Sequence, residues 1–180
     1  GGNNVNLDGA GTLINNGTGS SLYLKPSSAN SIGAIQLNNT DLHVNSNNGL
    51  GGASEISITT NTNPCTLTFD LDWETSENVF NTPIFYAIEN ATFNLNNDSG
   101  VNINFEGNIY DSSQTGNLIV NILNAPSYYL NIKGTIKVNQ LTAKTNNHFL
   151  VLEPKSANSI NTISLEDKSY LHIHSNNSLG

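Results

Sequence analysis

The stretch from Leu22 to Gly52 reads LYLKPSSANSIGAIQLNNTDLHVNSNNGLGG, and a close copy, LVLEPKSANSINTISLEDKSYLHIHSNNSLG, spans Leu150 to Gly180. The copies align at an offset of 128 residues as far as Leu37 and at 129 residues from Leu42 onward, so the second copy holds one inserted residue. Each copy consists of short alternating apolar and polar runs, separated by corners of Asn, Ser and Gly. Short runs with a period of two residues are typical of strands. A distant repeat of such strands indicates a solenoid.

The order of the motifs in the two copies follows a recognisable pattern. The matching positions are Leu22, Leu24, Ala29, Asn30, Ile35, Leu37, Leu42, Val44, Asn47, Leu50 and Gly51 in the first copy, and Leu150, Leu152, Ala157, Asn158, Ile163, Leu165, Leu171, Ile173, Asn176, Leu179 and Gly180 in the second. This pattern resembles the passenger-associated repeat of bacterial autotransporters, and the resemblance covers about a third of the chain. It implies a β-helix and an extracellular or bacterial cell-surface location, and it implies no activity.

Alternation of apolar residues with Asn continues between the copies, as in Val101-Asn102-Ile103-Asn104-Phe105. Such alternation places the apolar residues on one face of a strand and the Asn residues on the other. A β-sandwich also has regular short strands, but the distant self-similarity and the lack of tight Asn-Gly hairpin signals favour parallel coiling. We therefore predict an all-β fold, a right-handed parallel β-helix (β-solenoid) of roughly seven to nine turns.

The whole chain, residues 1–180, is expected to form one solenoid segment with the internal repeat at 22–52 and 150–180. The residues predicted to face inward in the two copies are Leu24, Ile35, Leu37, Leu42, Val44, Leu152, Ile163, Leu165, Leu171 and Ile173. Residues 74–90 break the alternation, because Pro83 interrupts the run and residues 84–88 are apolar at consecutive positions. We predict that this segment leaves the regular coil or covers its side.

Composition limits the classes of partner and site. The chain has a net charge of −8, with six Lys and no Arg, so it lacks the basic footprint of a nucleic-acid binder or of a helix that binds anionic lipids. No apolar run has the length of a membrane span, and we expect no membrane insertion of this segment. Cys65 is the single cysteine, which excludes an intrachain disulfide and favours a small buried apolar side chain at that position.

Three carboxylates at a spacing of two residues form the most enzyme-like cluster. Asp70, Asp72 and Glu74 lie beside Trp73 and point to one face if the segment is a strand. Such a face can bind calcium or pair two carboxylates for glycoside hydrolysis. The simpler interpretation, which we favour, is a solvated polar face, with no metal site and no cofactor. We favour the same interpretation for the pair His172 and His174, since no third zinc ligand is spaced to join it.

Surface aromatic residues are the remaining candidates for binding. Trp73, Phe85, Tyr86 and Tyr128 are able to line a groove for a carbohydrate or a protein, because aromatic rings supply contact area at low entropic cost. The sequence shows no nucleophile–His–acid arrangement, phosphate-binding loop or paired cysteines, so we expect no enzyme activity.

Two functions from different classes fit these patterns. The first is a structural and adhesive rod segment of a bacterial extracellular surface protein or fibre, similar to an autotransporter passenger. Its expected partners are its own copies end to end or a covalent continuation of the solenoid, with a host-cell protein or a glycan on a lateral patch. The alternative is a β-helix that binds or cleaves a polysaccharide.

Overall fold

The computed structural model of the protein describes residues 11–25, 31–71, 78–123 and 129–179. In these ranges the chain forms seventeen strands, joined by turns and short connections, and no helix. The strands are β1 (Thr12–Asn16), β2 (Ser21–Leu24), β3 (Ala34–Asn38), β4 (Asp41–Val44), β5 (Ile56–Ile58), β6 (Cys65–Phe69), β7 (Asn78–Phe80), β8 (Ile84–Tyr86), β9 (Thr92–Asn97), β10 (Ile103–Phe105), β11 (Ile109–Asp111), β12 (Asn117–Ile122), β13 (Tyr129–Ile132), β14 (Ile136–Lys144), β15 (Phe149–Leu152), β16 (Ser159–Leu165) and β17 (Tyr170–Ile173).

Every strand pair is parallel, and the strands form three columns. The first column is β1-β3-β5-β8-β11-β14-β16, and the second is β2-β4-β6-β9-β12-β14-β16, since β14 and β16 run through both. The third column is β7-β10-β13-β15-β17. Strands β1 to β6 alternate between the first and second columns, and from β7 onward the chain visits the third column in each turn before it returns to the first. The fold is therefore a parallel β-solenoid. This confirms the predicted fold class.

The described chain makes about six turns, slightly fewer than the seven to nine predicted. The number of residues per turn ranges from 20, as between Leu22 and Leu42, to 28, as between Ile56 and Ile84. The turns in the middle of the chain are longer than the sequence spacing of strands suggested. A chain of this length therefore completes fewer turns than predicted. The right-handedness of the coil stays a prediction.

The core consists of apolar side chains that stack in register along each column. In the first column Ile35, Ile56, Ile84, Ile109 and Ile136 follow one another, all fully buried. The second column stacks Leu22, Leu42, Leu67, Leu95, Val120, Ala143 and Leu165, and the third stacks Phe80, Phe105, Ile132, Leu152 and Ile173. An inward side chain in the middle of a column is thus covered by the equivalent side chain one step above and one step below, so apolar area is buried along the axis.

The inward positions predicted from the repeat are correct in direction, but their burial differs between the copies. Leu24, Ile35, Leu37, Leu42, Val44 and Leu152 are buried, whereas Ile163 and Leu171 are half-buried and Leu165 and Ile173 are exposed. The four less buried residues lie in β16 and β17. These strands have a partner on one side only among the described residues, so no further step of the column covers them.

The two copies of the repeat occupy different columns. The first copy begins in the second column, with Leu22 of β2 stacked beneath Leu42 of β4. The second copy begins in the third column, with Leu150 of β15 stacked beneath Leu171 of β17. Each copy therefore begins with one strand, continues around the coil, and ends with the strand that stacks on the first. The amide of Asn45 donates to the Leu24 carbonyl at 3.0 Å, and His174 donates to Leu152 at the same distance.

The segment 74–90 does not leave the coil where it is described. Strand β7 pairs with β10, and β8 pairs with β5 and β11, all in register. Pro83 lies in the corner between β7 and β8, where its missing amide proton interrupts no ladder, and its carbonyl accepts from the amide of Ile56 at 2.8 Å. The predicted excursion is therefore wrong for residues 78–90, and residues 74–77 lie outside the described ranges.

Polar side chains on the outer faces bind one another along the axis. In the second column the Asn121 amide donates to Asn96 Oδ1 at 2.7 Å, and the Asn96 amide donates to Thr68 Oγ1 at 3.3 Å. Lys144 and Glu166 form an ion pair at 2.8 Å further along the same row. Outward Asn and Thr side chains thus repeat the step of the backbone ladder, as expected for stacked strands.

Close stacking of corners leaves no room for a side chain at two glycines. A Cβ on Gly134 would overlap the backbone carbonyl of Gly107, and a Cβ on Gly107 would overlap that of Thr82. Successive corners between the third and first columns therefore lie in direct backbone contact.

Ile84→Ala in the middle of the isoleucine ladder is expected to lower the free energy of unfolding by about 2–5 kcal/mol, because it leaves a cavity between Ile56 and Ile109. Ile163→Ala in the half-buried last coil is the matched comparison and should cost less than half as much. Urea denaturation followed by circular dichroism measures both. Equal losses would contradict the claim that axial cover on both sides determines burial.

Gly134→Ala is expected to destabilise the protein by about 1–3 kcal/mol or more, since the new methyl group forces two stacked corners apart. Gly52→Ala provides the control, because a Cβ there meets no atom within 4 Å. Thermal melting of the two variants beside the parent protein checks this. A Gly134→Ala variant as stable as Gly52→Ala would show that the corners are not in contact.

Candidate functional site

The two aromatic candidates Phe85 and Tyr86 face opposite sides of β8. Tyr86 points into the core, where it is buried and its hydroxyl donates to the carbonyl of Asn117 at 2.9 Å. Burial, together with the negative charge of Asp111, raises the pKa of Tyr86 well above its usual value. Tyr86 is therefore a core residue and not the binding residue predicted from the sequence. Phe85 lies half-buried on the outer face.

Phe85 belongs to an aromatic ladder on the outer face of the first column. Its ring stacks on that of Tyr110 at 6.1 Å between centroids, with an angle of 16° between the ring planes. The Lys137 ammonium lies 5.1 Å from the centre of the Tyr110 ring, within the range of a cation–π interaction. The ring faces are thus directed along the axis and contact one another. A flat ligand on the outside would meet mainly ring edges.

A second aromatic cluster lies on the outer face of the third column, in its last two steps. Phe149 lies 4.4 Å from His172 and 5.5 Å from Tyr170 between ring centroids. His172 and His174 are 6.0 Å apart and nearly parallel. No group of three His, Cys, Asp or Glu side chains able to hold a metal ion occurs in the part of the chain that the structure describes.

Of the carboxylate cluster, Asp70 alone lies in the described ranges. It is exposed, and its Oδ2 accepts a hydrogen bond from the Asn45 side-chain amide at 2.9 Å. The same amide reaches the Asp70 carbonyl at 3.1 Å. This arrangement is that of a polar pair on adjacent steps of the coil. Asp72, Trp73 and Glu74, together with the aromatic candidate Tyr128, lie outside the described residues.

Among the described residues, the most deeply buried carboxylate is Asp111, which no pattern in the sequence singled out. Its two oxygens accept from the amides of Ser113, Thr115 and Gly116 at 2.9, 2.7 and 2.6 Å, and from the Ser113 hydroxyl at 2.6 Å. Burial raises the pKa of Asp111, but these four hydrogen bonds outweigh it and hold the pKa below its usual value. An ionised Asp111 therefore closes the corner 111–116.

The lone cysteine behaves as the sequence predicted. Cys65 is fully buried at the start of β6 and forms no disulfide. Burial raises the pKa of its thiol, which keeps the sulfur protonated and poorly nucleophilic at neutral pH. Cys65 pairs in register with Phe93 in the second column and fills space in the core there.

Two open grooves indent the sides of the coil. One, of about 300 Å³, lies between the corner 47–53 and residues 79–82. The other, of about 250 Å³, lies between residues 121–123 and the pair Lys144 and Glu166. The first is lined mainly by polar groups, whereas Ile122 and Leu123 line the second beside its polar residues. Neither contains the aromatic ladders. They offer no converging set of reactive side chains.

Four large apolar side chains in or just after the last two described strands are exposed, namely Leu165, Tyr170, Ile173 and Leu179. Tyr170 lies on the outer face, beside Phe149. Leu165 and Ile173 belong to the inward ladders of the second and third columns. Alternation alone predicts their direction but not their exposure, because exposure depends on the missing cover of a further step.

Comparisons of the chain with protein-family models, with curated proteins and with solved structures found no match. The parallel β-solenoid is therefore established by the strand registers of this structure, and membership of the autotransporter passenger family stays a prediction.

The depressed pKa of Asp111 leads to a prediction about pH. Its ionised form contributes stability above the unfolded pKa, near 4, and that contribution is lost as the pH falls through the lower folded pKa. Asp111→Asn sets an NH₂ group against amide donors, and we expect it to cost about 1–3 kcal/mol at pH 7.

Unfolding by urea at several pH values between about 7 and 2 measures this. The difference between the parent protein and Asp111→Asn should shrink as the parent is acidified below pH 4. Asp70→Asn, an exposed carboxylate, serves as the control and should change little at any pH. A gap between parent and Asp111→Asn that stays constant down to pH 2 would contradict the assigned role.

Proposed function

We propose that the chain is a structural and adhesive rod segment of a bacterial extracellular surface protein or fibre. The observation that carries the proposal is the continuity of the inward ladders in the described residues, with seven stacked strands in each of the first two columns and five in the third. Each turn of such a core contacts only the turns directly above and below it. The free energy of unfolding of the coil is therefore close to a sum over its turns. This is the property that a spacer or stalk requires.

The side faces support the same function. They carry neutral amides and hydroxyls that bind one another along the axis, as Asn121 and Asn96 do at 2.7 Å, with ion pairs at Lys144–Glu166 and Lys133–Glu106. Mutual hydrogen bonding leaves a polar, weakly charged surface. A surface of this kind resists nonspecific sticking while the rod holds its partner-binding regions away from the cell.

The polysaccharide alternative draws less support from the described residues. A glycan-cleaving β-helix requires a carboxylate pair beside exposed aromatic faces. The rings of Phe85 and Tyr110 cover one another, and the buried carboxylate of Asp111 is saturated with hydrogen bonds from its own corner. Neither arrangement leaves a free acid next to a free ring face.

An extracellular location is part of the proposal. The resemblance to autotransporter passengers supports it, and so does a composition rich in Asn, Ser, Thr and Gly with a single buried Cys. Among the described residues no helix has the length and apolarity of a membrane span.

Protease shaving of intact cells of the organism that encodes the chain tests the location. We expect peptides of this chain to be released from whole cells, while a cytoplasmic marker enzyme stays inside. Deletion of the coding region should lower adherence or cell-to-cell aggregation, and a variant destabilised by Ile84→Ala should lower it in proportion to the loss of folded protein. Recovery of the chain only after cell lysis would overturn the proposal.

A substrate screen tests the enzyme alternative. The purified chain is incubated with neutral and acidic polysaccharides, and new reducing ends and unsaturated products are measured. A structural segment yields no products above the level of the heat-denatured chain. Turnover that is lost on denaturation would replace the rod with an enzyme.

A further inference from the structure

The outer face of the first column carries aromatic and charged residues in the middle of the coil. Ser57, Phe85, Tyr110 and Lys137 lie in register on β5, β8, β11 and β14, and we call them the outer row. Tyr110 is 43% exposed, and Ile88 at the corner beside the row is 37% exposed. Because the rings of Phe85 and Tyr110 stack along the axis, their edges face outward.

The strands and corners that border the outer row all lie in the described ranges. Strand β3 pairs with β5 on one side of the row, and β16 pairs with β14 on the other. The adjoining corners are residues 59–64, 87–91 and 112–116 toward the second column, and residues 81–83, 106–108 and 133–135 from the third. The exposure of Tyr110 is therefore a property of a coil that continues in both directions.

A carboxylate and an ammonium group lie at opposite ends of the outer row. Glu55 comes two residues before Ser57 on the same outer face, and its Oε1 accepts from the Ser57 hydroxyl at 2.7 Å. Lys137 lies at the other end, with its ammonium 5.1 Å from the centre of the Tyr110 ring. Neither group forms an ion pair with another described residue. Both charges are thus available to a second molecule.

The two charges are too far apart to neutralise each other within one molecule. Three steps of the coil separate Ser57 from Lys137, or about 14 Å at about 4.8 Å per step. This distance exceeds the Debye length of about 8 Å at physiological ionic strength. The outer row is therefore acidic at one end, aromatic in the middle and basic at the other end. Turned end for end, such a row is complementary to itself.

The charge of the whole chain has the same polarity as the outer row. Residues 1–128 hold eleven Asp and Glu and one Lys, a net charge of −10, whereas residues 129–180 hold five Lys and three Asp and Glu, a net charge of +2. Two copies side by side in the same direction would place acidic residues against acidic residues. In opposite directions, the basic section of each copy lies against acidic residues of the other, which is the arrangement that charge complementarity favours.

We propose that two copies of this chain pair side by side, in opposite directions, through their outer rows. A two-fold axis midway between Phe85 and Tyr110 places Phe85 of each copy opposite Tyr110 of the other. The same axis places Lys137 of each copy opposite Ser57 and the neighbouring Glu55 of the other. Every contact occurs twice, as in other isologous interfaces. Side chains of two sheets packed face to face interdigitate, so the exposed ring edges of the two copies contact one another.

This contact has a defined size and a defined dependence on salt. A two-fold interface closes on itself, so it produces a dimer and not a filament. The outer row is short compared with a standard interface, so we expect weak association that grows with concentration. Since the charges at both ends of the row are exposed, added salt should weaken the contact. The inference rests on the proposed rod function, for which it names the partner.

Sedimentation equilibrium of the intact chain from about 1 µM to about 1 mM measures the association, since weak contacts have dissociation constants in that range. The weight-average mass should rise from 19.3 kDa and level off at twice that value. Raising the salt from about 0.05 M to about 0.5 M should weaken association by about fivefold. A chain that stays monomeric at every concentration, or a mass that passes the dimer, overturns the inference.

Charge reversals identify the surface. Lys137→Glu and Glu55→Lys each bring like charges together at two places, and each should weaken association by about tenfold or more. The double variant restores opposite charges and should associate within about threefold of the parent. Lys144→Glu is the matched control, because it makes the same change in charge on the second-column face of the same strand, and it should associate as the parent does. A weak double variant, or an equal loss in the control, overturns the inference.

An equal mixture of Lys137→Glu and Glu55→Lys provides an independent test. Each variant alone should stay mostly monomeric, whereas in the mixture each copy meets the opposite charge at both ends of its row and dimers form again. Circular dichroism confirms that the variants are folded. Lys137→Gln replaces Lys137→Glu if the latter is unfolded, with a smaller loss of about threefold expected. A mixture that associates no better than its components overturns the inference.

The two proposals fail in different experiments. A chain that is monomeric in solution overturns the lateral pairing and leaves the rod function standing. Failure of the rod function would appear separately, as recovery of the chain from the cytoplasm alone or as turnover of a polysaccharide.

Discussion

Parallel stacking in register is the constraint on which the rest of this structure depends. An inward side chain in the middle of a column contacts its equivalent one step above and one step below, because strands about 4.8 Å apart bring like side chains into contact. Burial is therefore a property of position along the axis as well as of the residue. Ile84 is fully buried because Ile56 and Ile109 cover it on both sides. Leu165 has cover from Ala143 on one side and is half exposed.

The strand content, the parallel coiling and the inward direction of the repeat could be predicted because alternation directly reports which face of a strand is apolar. Which of the residues 84–88 face inward could not be predicted, since Phe85 and Tyr86 are both apolar enough to face either way. Their directions follow from Ile84, which must lie in the isoleucine ladder to stack with Ile56 and Ile109. That requirement joins residues distant in sequence, and local alternation does not contain it.

The displacement of the repeat by one column has a similar cause. The motif encodes a strand, its corner and the strand stacked above, all of which are local to about one turn. The column that a copy occupies depends on how many strands and corners separate the copies. The turns differ in length, and the one between Ile56 and Ile84 is long. The motif itself therefore does not reveal how many strands and corners separate the two copies. Sequence similarity thus predicts local geometry and leaves the angular position open.

The inner and outer faces of the coil follow from the same stacking. On the outer faces, side-chain amides such as those of Asn96 and Asn121 bind one another along the axis, so the polar groups of successive steps satisfy one another. On the inner faces, apolar side chains such as Ile56 and Ile84 stack in the same way. Each step therefore covers its neighbour on both faces, and the coil is stabilised step by step along its axis.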